Sequence, residues 1–387
     1  MEAVLHKNGF YQLGGSYRCC LPHETLQKIK PFFPKLGITR VAQVTGLDEL
    51  GIPVATCIRP NSKHLSVSQG KGITQELANI SAIMESVEGY HAENPPAPEL
   101  VGCYAKLCNK SAFINPALFS NLRFAPAYFD THEIAWLKGL NIITEESVFL
   151  PHVLVCLDST ALRPEYNFLS VSSNGLASGN SYEEALCHAF FELIERDALC
   201  YWQRLPDSQK MQRQLNLDTI TQDIHRDLLH RFSKSNIQVR IWNITSQDIP
   251  IPSFHCSIRG RLGIFTGTGT HFSKEIALTR ALTEAAQARL TLISGNRDDV
   301  FPDYYFKRPS ELNLFHNHIV QNGCYSYQDI FEPEFPHDFK ENVQQIIQLL
   351  ISQGFRNVLV IDHTKREFGI AVVQVFVPGL LFNGTRM

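Results

Sequence analysis

The segment that opens at Ser181 constrains the fold more than any other, because it must be buried and yet is not purely apolar. Leu186, Phe190 and Leu193 mark one side of a helical projection and Phe191, Ile194 and Ala198 another, so this rod is apolar nearly all round. Glu184, His188, Glu192 and Glu195 nevertheless follow one another at spacings of four, four and three. That spacing confines them to a single seam about 80° wide. Carboxylates withdrawn into an apolar interior need a cation, and Arg196 alone does not neutralise three of them. A chain built this way must surround the helix with other elements and turn its seam toward something positive.

Two further helices carry related patterns. Thr74 caps a helix running to about His91, in which Ile73, Leu77, Ile80, Met84 and Val87 form an apolar stripe. Ser81, Glu85 and Glu88 form a second stripe about 100° away, with no basic residue at the usual pairing distance, which points to a divalent ion. A third helix spans about Lys274 to Ser294. There Arg280, Glu284 and Gln287 share a face, while Arg289 lies about 140° from Glu284. Arginines beside such seams either pair with the carboxylates or clamp a phosphate. Ahead of Ser181, Asn174–Asn180 reads as a small-residue loop whose backbone N–H groups suit a phosphate. It matches neither the P-loop nor the dinucleotide pattern. Hard oxygen ligands suit Mg²⁺, which bridges to substrate phosphates. Spacing alone leaves three readings open: a Mg-phosphate site, a dinuclear metal hydrolase, and a non-catalytic fold with buried ion networks. His188 reads as a satisfied core histidine, and the paired Glu-x-x-His motifs of a di-iron bundle are missing.

Helical and strand patterns interleave along the chain without a repeat, which implies an α+β fold. A helix is expected at Thr25–Leu36, with strands at Ile38–Val44 and Pro53–Arg59. The polar stretch 61–72 ends in a turn, Gly70-Lys71-Gly72, and the prolines of 93–98 stop the helix before them. Strands are expected at Leu150–Leu157, Phe168–Ser172, Gln238–Ile244 and Ser253–Ile258, Gly263–His271 reads as another strand or a glycine-rich turn, and the chain from Arg204 to Ser235 reads as helical. A helix at Lys340–Gln353 and a strand at Val358–Asp362 close the body. Chain length, 387 residues, and 44% hydrophobic content imply interlocked folded units, read as an N-terminal helix/strand segment, 1–60, and a core, 61–387, of one body. The formal charge of −3 excludes a general nucleic-acid binder and gives no attraction to an anionic membrane. No spanning apolar run and no leader segment is seen, so a cytoplasmic protein with reduced thiols is expected. The ten cysteines lack a Cys-x-x-Cys pattern and read as small buried hydrophobes. A homodimer is the default assembly.

Taken together, these motifs resemble those of the YcaO family over nearly the whole chain. Ser81-Ala82-Ile83-Met84-Glu85-Ser86-Val87-Glu88, preceded by Gly70-Lys71-Gly72, resembles its Ser-x-x-x-Glu-x-x-Glu signature. Asn174–Asn180, Glu184 and Glu192-Leu193-Ile194-Glu195-Arg196 resemble the second signature, and Glu284-Ala285-Ala286-Gln287-Ala288-Arg289 the third. The resemblance implies a YcaO-like fold of interlocked mixed sheets packed with helices, with ATP bound between helices. It implies ATP-dependent activation of a peptide-backbone amide: a nucleophile adds, the oxyanion is phosphorylated, and phosphate leaves. It assigns Glu85, Glu88, Glu192, Glu195 and Glu284 to Mg²⁺ and phosphates. Lys71, Ser81, Asn180, Glu184, Gln287 and Arg289 fall to the nucleotide, and Arg196 and Arg289 to catalysis; helix geometry, which puts Arg280 on the face of Glu284, adds Arg280 as a further catalytic candidate. The ending Val377-Pro378-Gly379, and the segments Gly37-Ile38-Thr39-Arg40 and Thr45-Gly46-Leu47-Asp48, resemble members that act with a TfuA-type partner in thioamide formation. The proline-rich tail of azoline-forming members is not matched, and no length is spare for a fused peptide-binding domain. The substrate expected is a peptide or protein, recognised with a TfuA-like or leader-binding partner. Azoline formation and a non-catalytic peptide-binding scaffold are the alternatives.

Overall fold

The computed structural model describes residues 10–109, 112–119, 127–161, 171–299 and 322–381, together with the backbone of 4–5 and without the side chain of 127. Helix α1 (Pro22–Ile29) leads into a three-stranded antiparallel sheet, β1 (Arg40–Gln43), β2 (Val54–Ile58) and β3 (Val67–Lys71). Helix α2 (Gln75–Glu93) then packs back on that sheet. Strands β4 (Leu100–Gly102), β5 (Ile134–Asn141) and β6 (Glu146–Pro151) follow, then β7 (Leu176–Gly179) and the long helix α3 (Tyr182–Arg204). Helix α4 (Asp223–Lys234) precedes a second meander, β8 (Gln238–Asn243), β9 (Ser253–Gly260) and β10 (Gly263–Thr270), on which α5 (Lys274–Ser294) packs. Helix α6 (Phe339–Ser352) and strands β11 (Leu359–Asp362) and β12 (Ala371–Phe376) complete the body. The central sheet runs β7-β12-β11-β5-β4 with β6 paired to β5, and every pairing in these three sheets is antiparallel. The architecture is α+β.

One supersecondary unit occurs three times: three antiparallel strands, then a helix laid on them. Two copies are continuous, β1-β2-β3-α2 and β8-β9-β10-α5. The third takes β11 and β12 from the C-terminal part of the chain and pairs them with β7, which leads into α3. The sequence shows no repeat because the equivalence lies in backbone path rather than side-chain identity, and one copy is assembled from distant segments. Close helix-to-strand approach is enforced by glycine. A Cβ on Gly70 would stand 2.1 Å from the Ala82 nitrogen and 2.2 Å from the Ala78 oxygen. At Gly269 it would stand 2.1 Å from the Ala277 oxygen and 2.7 Å from the Ala281 nitrogen. Each helix has its own apolar core, with α3 against β12, α5 against β9 and α2 against β2, so only their polar seams are left to face one another.

Several expectations change. Gly70-Lys71-Gly72 is not a turn: Gly70 and Lys71 end β3, paired across from Ala55 and Val54. The loop expected at Asn174–Asn180 contains β7. Alternating polarity is weak in both because the neighbouring helix demands small residues. Pro31 and Pro34 divide the expected Thr25–Leu36 helix into α1 and shorter turns. Between Arg204 and Ser235 the helical stretches are Asp207–Gln212, a 3-10 turn at Leu217–Thr219 and α4, rather than one continuous helix. The expected Leu150–Leu157 strand ends at Pro151 and becomes a 3-10 turn. Residues 168–170 of the Phe168–Ser172 strand lie outside the described residues. The boundary expected at residue 60 runs through the first sheet, between β2 and β3. All ten cysteines are free and six are buried, as small apolar fillers would be. Among the described residues no helix is long and apolar enough to cross a membrane.

Candidate active site

Thr74, Ser181 and Ser273 are the N-cap residues of α2, α3 and α5. Counting from those caps puts the three helices in one register. Seven residues on stand Ser81, His188 and Arg280; eleven on, Glu85, Glu192 and Glu284; fourteen on, Glu88, Glu195 and Gln287. These offsets fall on one helical face. Eight of the nine side chains, all but Gln287, line one cavity of about 410 Å³ between the helices. That volume lies within the usual range for small-molecule sites.

The carboxylates are held by the strands of neighbouring units in a ring. Glu88 on α2 accepts the Ser178 hydroxyl and N–H of β7 at 2.7 and 2.8 Å. Glu195 on α3 accepts the Thr268 hydroxyl of β10 at 2.8 Å. Glu284 on α5 meets the Lys71 ammonium of β3 at 2.5 Å. Backbone N–H groups complete the set, Gln69 donating to Glu85 at 3.1 Å and Gly175 to Glu192 at 3.0 Å. Arg196 lies 3.6 Å from Glu192 and 3.9 Å from Glu195.

Countercharge is nonetheless short. Glu85 and Glu88 make no ion pair among the described residues. Burial pushes the Glu88 carboxyl up to about 8, with Glu85 adding to it and Ser178 opposing. Burial likewise raises Glu85 and Glu192, against the fields of Arg297 and Arg196 respectively. Burial also works against ionisation of Glu284, but Lys71 and Arg196 outweigh it and hold this carboxyl at about 2. Arginines also line this cavity. Arg18, which lies 3.6 Å from Glu184, and Arg280 are close enough to His188 to reinforce the burial that keeps its imidazole neutral. A cavity lined by both carboxylates and arginines is an arrangement that accepts a cation together with a polyanion.

The residues present fit Mg²⁺. The Oε2 of Glu195 is buried without a hydrogen-bond partner, an expensive vacancy for a carboxylate unless a cation shares it. No cluster of three or more His, Cys, Asp or Glu side chains among the described residues encloses a metal by itself. Mg²⁺ keeps waters and leans on one or two carboxylates plus phosphates, which carboxylates spread over three helices around one cavity can supply.

Asn180 and Glu184 sit at the cavity edge. The Asn180 side chain bonds Thr25 of α1, and Glu184 accepts the Asn180 N–H at 3.2 Å and the Cys19 thiol at 2.7 Å. His188 is not the satisfied core histidine expected, since it lines the cavity. Arg280 lines it too, with Nε buried and unpartnered. Arg289 does not: it is buried against Asp48, with Nε 2.9 Å from Oδ2, and Nη2 is 3.2 Å from Glu49. The 140° offset from Glu284 turns it away, and Gln287 is likewise absent from the lining. Arg18 and Arg297 line the cavity and were missed. Each is an isolated arginine outside a helix, where no periodicity marks it.

Because a cation must displace the proton that Glu88 retains, Mg²⁺-nucleotide binding should release protons near pH ~7 and tighten as pH rises toward about 8. Calorimetry in two buffers of different ionisation enthalpy reads this directly. Binding that is indifferent to pH across that window would count against the carboxylate's role.

A family model described as YcaO cyclodehydratase, ATP- and Mg²⁺-binding, matches residues 69–381. A protein of Rhizobium leguminosarum bv. trifolii, described as an uncharacterized protein in the tfuA 3′ region, is 34% identical over 378 residues, covering 94% of this chain and 88% of its own. Among solved structures, YcaO from Methanopyrus kandleri bound with AMPPCP and Mg²⁺ superposes with a TM-score of 0.74 at 21% identity, covering 98% of this chain and 95% of that one. A heterocyclase in complex with substrate and cofactor gives a TM-score of 0.78 at 21% identity. It covers 99% of this chain, which spans only 54% of the heterocyclase chain. At these identities the two structures establish the fold.

Proposed function

The chain belongs to the YcaO family, and on that premise we propose that it uses Mg-ATP to activate a peptide-backbone amide, forming a thioamide with a TfuA-like partner. The observation that carries the ATP-dependent reading is the threefold register of seams, which brings five carboxylates and Arg280 to one cavity. The relative in the tfuA 3′ region supports the thioamide branch and the partner. Azoline formation is the second reading, favoured by the cyclodehydratase description of the family and by the heterocyclase likeness.

When bound, Mg-ATP supplies the phosphoryl group that turns the oxygen of the amide adduct into a leaving phosphate. Glu85, Glu88, Glu192, Glu195 and Glu284 are the carboxylates that would hold divalent charge in this cavity. Arg280, with its free Nε, faces the transferring group, and Arg196 balances the carboxylates on which it rests. Ser81, Asn180 and Glu184 orient the rest of the nucleotide. Arg289, committed to Asp48, acts from outside the cavity. On this reading Arg289, expected at the nucleotide and in catalysis, takes a structural role instead.

Purified protein, a TfuA-like partner, Mg²⁺, ATP, a sulfide source and a candidate peptide test the proposal together. The expected result is ATP turnover with a peptide product in which sulfur replaces oxygen in the mass spectrum. A product lighter by one water supports the azoline reading instead. Failure to bind or hydrolyse ATP overturns both.

A further inference from the structure

The ring joining the three units is closed twice by hydroxyls, Ser178 to Glu88 and Thr268 to Glu195, and once by an ammonium, Lys71 to Glu284. The difference matters for a cation. A hydroxyl donor leaves a carboxylate its charge and its remaining lone pairs, so the same group can still hold a metal. An ammonium cancels that charge and repels the incoming ion. Three residues before the helix caps stand Lys71, Ser178 and Thr270, so only one unit carries a cation there. That cation reaches across to the helix of another unit.

Its target is a formed position. The Thr268 hydroxyl lies 2.8 Å from Glu195 and 3.4 Å from Glu284, so these carboxylates converge on one group. Glu195 is 3% exposed, and its second oxygen has no partner. Glu85 and Glu88, by contrast, face no lysine or arginine within ion-pair distance among the described residues.

We infer that Lys71 is a resident cation in the metal position formed by Glu195 and Glu284, so that a divalent ion enters there only with a nucleotide whose phosphates take the ammonium over. The inference rests on the Mg-ATP reading of the cavity and adds an order to it. The Glu85–Glu88 side is open to metal beforehand; the Glu195–Glu284 side is not. Hydrolytic loss of nucleotide returns Lys71 to Glu284 and expels the ion, which keeps these carboxylates from trapping metal between turnovers.

The test is Mn²⁺ binding followed by electron paramagnetic resonance, with and without AMPPCP. Lys71→Gln should tighten nucleotide-free Mn²⁺ binding by about tenfold or more, Lys71→Arg should not, and adding Glu284→Gln to Lys71→Gln should erase the gain. Glu284→Gln alone reads the same claim without touching the lysine. It should leave nucleotide-free Mn²⁺ binding unchanged and weaken Mn²⁺–AMPPCP binding about tenfold. If Lys71→Gln binds Mn²⁺ like the parent, or Glu284→Gln lowers nucleotide-free binding, the resident-cation role is wrong while the Mg-ATP reading stands. If the parent protein itself fails to bind Mn²⁺–AMPPCP, the reading beneath it falls.

Discussion

Glu85→Gln is expected to lower ATP turnover by about 100-fold or more while raising the unfolding temperature of the metal-free protein. Glutamine keeps the shape and the acceptor for the Gln69 N–H, so the local structure has no reason to collapse. What disappears is a charge that the fold desolvates and pairs with no cation within ion-pair distance. A carboxyl raised by burial binds its proton more tightly in the folded than in the unfolded state. Its cost to stability therefore grows as pH climbs above the ordinary carboxylate range and vanishes below it. The variant's gain, on the order of 1 kcal/mol, should accordingly be present at neutral pH and absent below about pH 4. Calorimetric melts at the two pH values, set beside steady-state ATPase rates, decide the matter. A variant that is both less stable and fully active would reverse the assignment.

Arg289→Ala and Arg280→Ala should fail in opposite ways. Arg289 and Asp48 are 5% and 1% exposed, and removing the arginine leaves a buried carboxylate with no partner charge. That loss costs about 3–5 kcal/mol, enough to leave a marginally stable protein largely unfolded at physiological temperature. Arg280 has no such structural commitment at its Nε and faces the cavity, so alanine there should leave the denaturation midpoint nearly unchanged and reduce turnover by about 100-fold. Asp48→Asn with Arg289→Gln, which removes both charges, should recover much of the stability lost by Arg289→Ala. Denaturant titrations of the three variants, with ATPase assays on whichever remain folded, separate the roles. A stable but inactive Arg289→Ala protein would return that arginine to the nucleotide and to catalysis.

The legible parts of this molecule are those where periodicity and capping act together. Thr74 and Ser181 each accept the N–H three residues on, Leu77 and Glu184, and the helices they open were visible in sequence, as was the third at Lys274–Ser294. The carboxylates on those helices were legible for the same reason, since a charge on an apolar rod breaks a pattern. Their common register was not drawn from the sequence, although the offsets of seven, eleven and fourteen from each cap are present in it; the first helix carries Ser, Glu, Glu, the second His, Glu, Glu, the third Arg, Glu, Gln. Strands β3 and β7 were hidden because helix contact replaces alternation with glycine and alanine. The fate of Arg289 was half legible. Its angle excluded the face of Glu284, but its partner Asp48 lies far away in sequence, a contact that no local pattern encodes.

Helices α2, α3 and α5 are proposed to hold a magnesium nucleotide between their seams. Diffraction from crystals grown with Mn²⁺ and AMPPCP, using the anomalous signal of manganese to place the ions, tests this arrangement most directly. Ions are expected between the phosphates and Glu85, Glu88, Glu192, Glu195 and Glu284, with the Lys71 ammonium withdrawn from Glu284. Ions bound away from all five carboxylates, or a nucleotide seated outside this cavity, would contradict it.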